Sequence, residues 1–188
     1  MTMLTWIRMA AAAILFGAAA GALAQSKCSA TGQMAGQAFS LANCEVAIYE
    51  GGPGVTIWFS STPIAGDERD FFQVSSTADR FRKGRTMVLL AFCPGGGSAV
   101  PSAKAAKNIE LAFKHATVAD LGPQDQWVFD SASDKQIRFE ALGGELKRGG
   151  KLTGKVTGAI AGKKPAFTWD LQFDLVLPQR AAGAGPSC

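Results

Sequence analysis

His115 is the only histidine in the 188 residues, so any imidazole chemistry has to run through it. A histidine can act as a general base or as a pH switch. It lies on the apolar parity of Ile109, Leu111 and Phe113, at the end of an alternating run. A base also needs a nucleophile to activate and a carboxylate to orient it. No serine or cysteine elbow is visible, so the expectation is a structural, partly buried histidine and no catalytic residue.

Charge clusters come next. Arg80, Arg82, Lys83 and Arg85 put four cations into six residues around Gly84, with Phe81 among them. Such a loop is either a solvated connection or an anion contact for a lipid head group, a polysaccharide or an acidic partner. Asp67, Glu68 and Asp70 crowd the loop after Pro63. They lack the regular spacing and the glycine of a calcium loop, so no metal site is expected. Pro94-Gly95-Gly96-Gly97 is glycine-rich, but no Gly-Lys-Ser/Thr and no helix start follow it, so a phosphate cradle is not expected. No cofactor is implied.

Of the tryptophans beyond the N-terminal segment, Trp169 lies on an apolar parity and Trp127 is followed by Phe129. Trp58 sits on the polar parity of its strand, between Thr56 and Ser60. An outward tryptophan can be a sugar or partner contact; the alternative is a Trp58 covered by the second sheet or by the 98–107 loop. Trp58 with Arg80, Arg82, Lys83 and Arg85 makes up the expected contact set.

The four cysteines, Cys28, Cys44, Cys93 and Cys188, fit no zinc spacing, since there is no Cys-x-x-Cys. All four follow a segment with the marks of a signal peptide. Arg8 precedes an apolar run from Ala10 to Ala22, and Ala22-Leu23-Ala24 provides the small residues of a cleavage site. The expectation is a cleaved signal peptide over 1–24, and a periplasmic or secreted chain. It is not a lipoprotein, because Lys27 rather than a small residue precedes Cys28. An even cysteine count in an oxidising compartment predicts two disulfides. Three connectivities exist. Cys44 shares parity with Val46 and Ile48, and Cys93 with Met87 and Leu89, which favours Cys44–Cys93, with Cys28–Cys188 closing the ends.

Removing 24 of the 188 residues leaves 164, enough for one domain with a sizeable core. Loss of Arg8 leaves 18 basic and 15 acidic residues, a net charge of +3 and not the balance of a nucleic-acid binder.

The elements that would position these residues are strands. Phe167, Trp169, Leu171, Phe173, Leu175 and Leu177 fall on one parity, and Thr168, Asp170, Gln172 and Asp174 on the other, between Pro165 and Pro178. A strand sends successive side chains to opposite faces, so this stretch has one apolar and one wet face. Gly154 and Gly158 share parity with Leu152, Val156 and Ile160 in the preceding run, leaving room for Trp169 and Phe173. On the other face, Lys155 is expected across from Asp170 or Asp174.

Residues 38–50 form the first predicted strand, with a bulge near Ala42-Asn43 where its parity changes. It makes a hairpin with 55–60 across Gly51-Gly52-Pro53-Gly54. Thr86 to Cys93, apolar on both parities, predicts a central strand covered on both sides. Further strands are expected at 71–76, 109–115, 127–129 and 137–141, and residues 26–37, polar and glycine-containing, are expected to be an extended or loop entry.

The fold class is therefore all-β: a single antiparallel sandwich or squat barrel of about eight to nine strands over 25–178, with an Ala/Gly/Pro-rich tail at 179–188. The expected function is that of an exported, non-enzymatic binding module. Its partner would be a cell-envelope protein, a glycan or a lipid. The alternative is a carrier of a small apolar ligand in a barrel cavity, with an enzyme as the third class.

Overall fold

The computed structural model describes residues 26–49, 54–64, 85–95, 100–115, 127–160, 162, 166–178 and 188. The expected signal peptide, the strand at 71–76, Asp67, Glu68, Asp70, Gly96 and Gly97 lie outside these residues, as do Arg80, Arg82, Lys83 and all of the tail but Cys188.

The described residues form ten strands: β1 (Lys27–Met34), β2 (Gln37–Leu41), β3 (Asn43–Ile48), β4 (Val55–Ser60), β5 (Met87–Cys93), β6 (Lys107–Lys114), β7 (Trp127–Asp130), β8 (Phe139–Gly144), β9 (Lys151–Ala159) and β10 (Thr168–Val176). They build two five-stranded antiparallel sheets. Sheet I has the order β2-β1-β10-β9-β8, and sheet II the order β3-β4-β5-β6-β7. Each strand pairs with the next in sequence except at β2/β3 and β7/β8, where the chain changes sheet, and β10 pairs back onto β1. The arrangement is sandwich-like: a flattened meander with two unpaired corners.

The alternation from Phe167 to Leu177 has the expected consequence. Phe167, Trp169, Leu171, Phe173, Leu175 and Leu177 are all buried and belong to one core with Val55, Ile57, Phe59, Leu90 and Leu111 of sheet II. Phe113 is a hub of that core, with ring centroids of Phe39, Phe129, Phe167 and Trp169 at 6.3, 5.9, 6.0 and 6.1 Å. Aromatic pairs at such distances stabilise by about 0.5–1.5 kcal/mol each beyond their buried area.

Size complementarity fixes the neighbours of β10. On one side Phe173, Leu171 and Trp169 face Cys28, Ala30 and Gly32 of β1; on the other they face Gly154, Val156 and Gly158 of β9. A Cβ on Gly154 would lie 2.3 Å from Phe173 Cζ, and one on Gly158 would lie 2.6 Å from Trp169 Cζ2. The two glycines thus make room for the two large rings, as the sequence predicts.

Three expectations need correction. Of the two forms expected for the entry, residues 27–34 take the extended one and are no loop: they are β1, the strand that closes sheet I onto β10. It joins β2 through Ala35 and Gly36, both at positive φ (52° and 79°), the signature of a tight two-residue hairpin turn. The parity change at Ala42 is not a bulge but the switch from sheet I to sheet II. The disulfides are Cys28–Cys44 and Cys93–Cys188, with Cα separations of 6.3 and 5.5 Å. Cys44 faces the shared core, whereas Met87, Leu89 and Ala91, which share parity with Cys93, face a second cluster on the far side of sheet II. Cys44 and Cys93 also lie two strands apart, with β4 between them. A bridge needs Cα atoms within about 7 Å and converging Cβ vectors, so that pair cannot form.

Candidate functional site

The two sheets present different outer faces. On sheet II, Ala47, Tyr49, Trp58, Met87, Leu89, Ala91 and Ala112 form a buried cluster against which Ile64 packs. Every residue of β4 and β5 is buried, which the unbroken apolar run predicts for β5. Thr56 and Ser60 are fully buried on this face, and Lys114 is 1 % exposed. Trp58 is 0 % exposed. Of its two expected placements the covered one is observed, and it offers no surface for a partner. Arg85, the described member of the cationic set, is half-buried just before β5, and His115 is half-buried just after β6. Trp127 packs against Phe167 with centroids 5.5 Å apart, and Trp169 is in the core.

The outer face of sheet I is wet. The register lays two polar rows across its strands. Ser29, Gln172, Lys155 and Ala141 stand side by side in one row, and Lys27, Asp174, Thr153 and Gly143 in the next. Between them run Cys28, Phe173, Gly154 and Leu142, whose parity directs them inward. The result is a groove of about 470 Å³ crossing the strands, with the backbone at Gly154 in its floor. Rows two residues apart are about 6.7 Å from each other, and four strands span about 14 Å.

Polar pairs hold the walls of this groove apart. Gln172 Nε2 donates to Asp170 Oδ1 at 3.0 Å, leaning away from the Asp174 row. Asp174 Oδ1 lies 3.5 Å from Lys151 Nζ, on the opposite side. Lys155 Nζ reaches Glu140 Oε2 at 3.0 Å. This corrects the expected partner of Lys155, which is opposite Gln172 in register and is drawn toward β8. The pairing of β8 with β9 shifts between Phe139 and Ala141, so Glu140 is the extra residue of a bulge. A bulge re-aims a side chain, and here Glu140 meets both Lys155 and the Thr157 hydroxyl.

The electrostatics follow from those contacts. The Thr157 hydroxyl, and then the Lys155 ammonium, hold the Glu140 carboxyl below the usual glutamate range. The hydrogen bond to Glu140 and its charge raise the Lys155 ammonium above the usual lysine value, with Asp170 adding to the effect. A second groove of about 440 Å³ adjoins Glu140 and Thr157, with Lys135 and Arg138 on its edge. Asp130, at the end of β7, is different in kind. Its carboxylate accepts hydrogen bonds from the Ser133 and Ala132 amides, which lowers its pKa and forms the turn leading toward β8.

Half of the groove was within reach of the sequence. Thr168, Asp170, Gln172 and Asp174 form the wet parity of β10, and Lys155 and Thr153 form that of β9. Lys27 and Ser29 are not found this way, because the polar, glycine-containing stretch 26–37 predicts an entry segment. The signal that would have found them is the alternation of Lys27, Ser29, Thr31 and Gln33 against the small residues Cys28, Ala30 and Gly32. Among the described residues no three His, Cys, Asp or Glu side chains gather in a metal-holding group, and no helix is long and apolar enough to cross a membrane.

No family model matches this chain, and no curated protein or solved structure is significantly similar to it.

Proposed function

We propose that this chain is an exported binding module, directed outward by a signal peptide over residues 1–24, and that it presents the outer face of sheet I to its partner. One observation carries the reading: the outer face of sheet II is buried through β4 and β5, whereas sheet I keeps an accessible groove with polar walls. The two disulfides and the all-β fold suit a domain that works in an oxidising compartment. Trp58 leaves the contact set because it is buried, and Ser29, Gln172, Asp174 and Thr153 take its place. Arg80, Arg82 and Lys83 stay in the proposal as a cationic contact, on the strength of their sequence alone.

The carrier alternative requires an open interior. Between the described strands that space holds Phe39, Phe59, Phe92, Phe113, Phe139, Phe173 and Trp169, so no specific observation favours it.

Amide chemical-shift mapping tests the binding reading. The isotopically labelled mature chain is titrated with separated protein, glycan and lipid fractions of a cell envelope. The reading expects one fraction to shift the amides of β1, β9 and β10 around the groove. Shifts confined to sheet II, or none with any fraction, would overturn it.

A further inference from the structure

We infer that Cys93–Cys188 is an exchangeable bridge, at which a low-molecular-weight thiol is taken up on Cys188 while Cys28–Cys44 stays closed. The site belongs to sheet II and owes nothing to the groove on sheet I. Access is the first difference between the two bridges. Cys188 is exposed and Cys93 is 4 % exposed, so a thiol approaches from the Cys188 side. Cys28 and Cys44 are both half-buried and pack against the shared core.

The second difference lies in what faces each sulfur. Exchange needs a leaving thiolate, and a donor that bonds the thiolate makes it a better leaving group. Cys93 Sγ accepts a hydrogen bond from Asn108 Nδ2 at 3.8 Å. Cys28 Sγ instead lies 3.8 Å from the Ala42 carbonyl oxygen, whose lone pairs would repel a thiolate.

The fold aims the Asn108 amide. The pairing of β5 with β6 sets Ala91 to Cys93 against Glu110 to Lys107, three residues against four, so β6 carries an extra residue. Asn108 sits in that bulge at a φ of 49°, in the left-handed region that asparagine tolerates better than most residues. A bulge re-aims a side chain. The Ile109 amide donates to Ser131 Oγ at 3.1 Å, and the Ser131 amide donates to the Ile109 carbonyl at 2.8 Å. Those bonds hold the bulge in place from the next strand. The charges nearby are mixed. Lys107 is opposite Cys93, and Glu110 and Asp130 share the row of Ala91, about 7 Å along the strand. They act in opposite directions, which leaves the Asn108 amide as the selective contact.

The step balances without an oxidant. A thiolate attacks Cys188 Sγ and forms a new S–S bond there. The Cys93–Cys188 bond breaks, and its electron pair leaves on Cys93 as a thiolate beside Asn108. Residue 188 is then released from the end of β5, and Cys28–Cys44 still joins the two sheets. Access and leaving group set the rate of this exchange; the length of the closed loop sets the stability that the bridge adds.

The test treats the folded, oxidised chain with reduced glutathione in mildly alkaline buffer without denaturant. Samples are quenched by alkylation over time and mapped by peptide mass spectrometry. The expected first product carries glutathione on Cys188 and the alkyl label on Cys93. Cys28–Cys44 should open at least about tenfold more slowly, the worth of a hydrogen bond to a charged group. Asn108→Gly keeps the positive φ and removes the amide, and should slow exchange about fivefold. Asn108→Asp sets a carboxylate at the same sulfur and should slow it further. A destabilised fold would open both bridges faster, so slowing at Cys93–Cys188 alone marks the amide.

Opening of Cys28–Cys44 first or at the same rate would overturn the inference, as would glutathione found on Cys93. So would an unchanged rate in both Asn108 variants, or bridges that yield to glutathione only in urea.

Discussion

Trp58 and Gln172 both project from the outer side of a five-stranded sheet, yet Trp58 is fully buried and Gln172 stands in water. The two sheets share one core and differ on their other sides. Through β4 and β5, sheet II is buried on both faces, so its strands carry apolar residues on both parities. Sheet I is buried on one face only. Its best strand, β10, alternates strictly, and its outer residues are free to be polar. The difference separates two roles. Sheet II is dominated by packing, and sheet I keeps side chains that can be changed without touching the core. A recognition surface can be altered at little structural cost only on the second kind of sheet.

The harshest way to test that division is to cut the ties across it. Cys28–Cys44 joins β1 of sheet I to β3 of sheet II, and Cys93–Cys188 ties the end of β5 to residue 188 beyond β10. The sequence separations are 16 and 95 residues. If bridges act mainly on the unfolded chain, replacing the second pair by serine should lower stability by about 4–5 kcal/mol and the first by about 3 kcal/mol. Urea unfolding of the two double variants measures this. Equal losses would mean that the bridges act through native contacts, not through loop length.

Next come the outer faces themselves. Trp58→Ala should lower stability by about 3–5 kcal/mol, the range for removing a buried aromatic. Gln172→Ala, on the exposed face, should change it by no more than about 0.5 kcal/mol. If the two variants unfolded at the same urea concentration, the contrast between the sheets would be lost.

A third change probes the inner side of sheet I. Gly154→Ala places a Cβ against the Phe173 ring, 2.3 Å from Cζ unless something moves. Overpacking of this kind costs about 1–3 kcal/mol. The same change in a Phe173→Leu background should cost less, because the ring that Gly154 accommodates is gone. A double-mutant cycle with no coupling would break the link between glycine and ring.

Several of these features were legible in the sequence, and the reasons are specific. β10 declares itself because six large residues share one parity between two prolines. β5 declares itself because it is apolar on both. The Gly154 and Gly158 pairing follows from two missing side chains beside two large ones. β1 stayed hidden for the complementary reason: its core-facing residues, Cys28, Ala30 and Gly32, are small because Phe173, Leu171 and Trp169 fill the space opposite. A strand that packs by being small does not look hydrophobic, and its Ala35-Gly36 turn lacks the Asn-Gly or Asp-Gly pair that marks a hairpin. The disulfide expectation failed on a face. Shared parity with apolar residues identifies a core, but sheet II has a cluster on each side, and Met87 and Leu89 belong to the outer one. The groove is half visible because its walls come from β9 and β10, whose alternation is plain, and from β1, whose core-facing residues are small.

The smallest expected effect is also the most local. Glu140 titrates below the ordinary glutamate value because Thr157 and Lys155 bond its charged form. A depressed folded-state value means that this contribution to stability is complete above the unfolded-chain value, roughly 4.3. It is then lost as pH falls through the lower folded value. Lys155 has the opposite sign. Its value is raised, so its share is complete below the unfolded-chain value of roughly 10.4 and lost as pH rises through the folded one. Both groups are exposed, so the effect should be read as titration midpoints and not as unfolding energy. Carboxyl-carbon NMR should show the Glu140 midpoint moving up toward the ordinary value in Thr157→Ala. It should also move up in Lys155→Gln, which removes both a hydrogen bond and a neighbouring positive charge. The Lys155 midpoint should move down in Glu140→Gln. If removing the Thr157 hydroxyl left the Glu140 midpoint in place, the bulge at Glu140 would not be fixing its carboxylate. Lys155, 3.0 Å from Glu140 Oε2, would then be the group that holds that carboxylate.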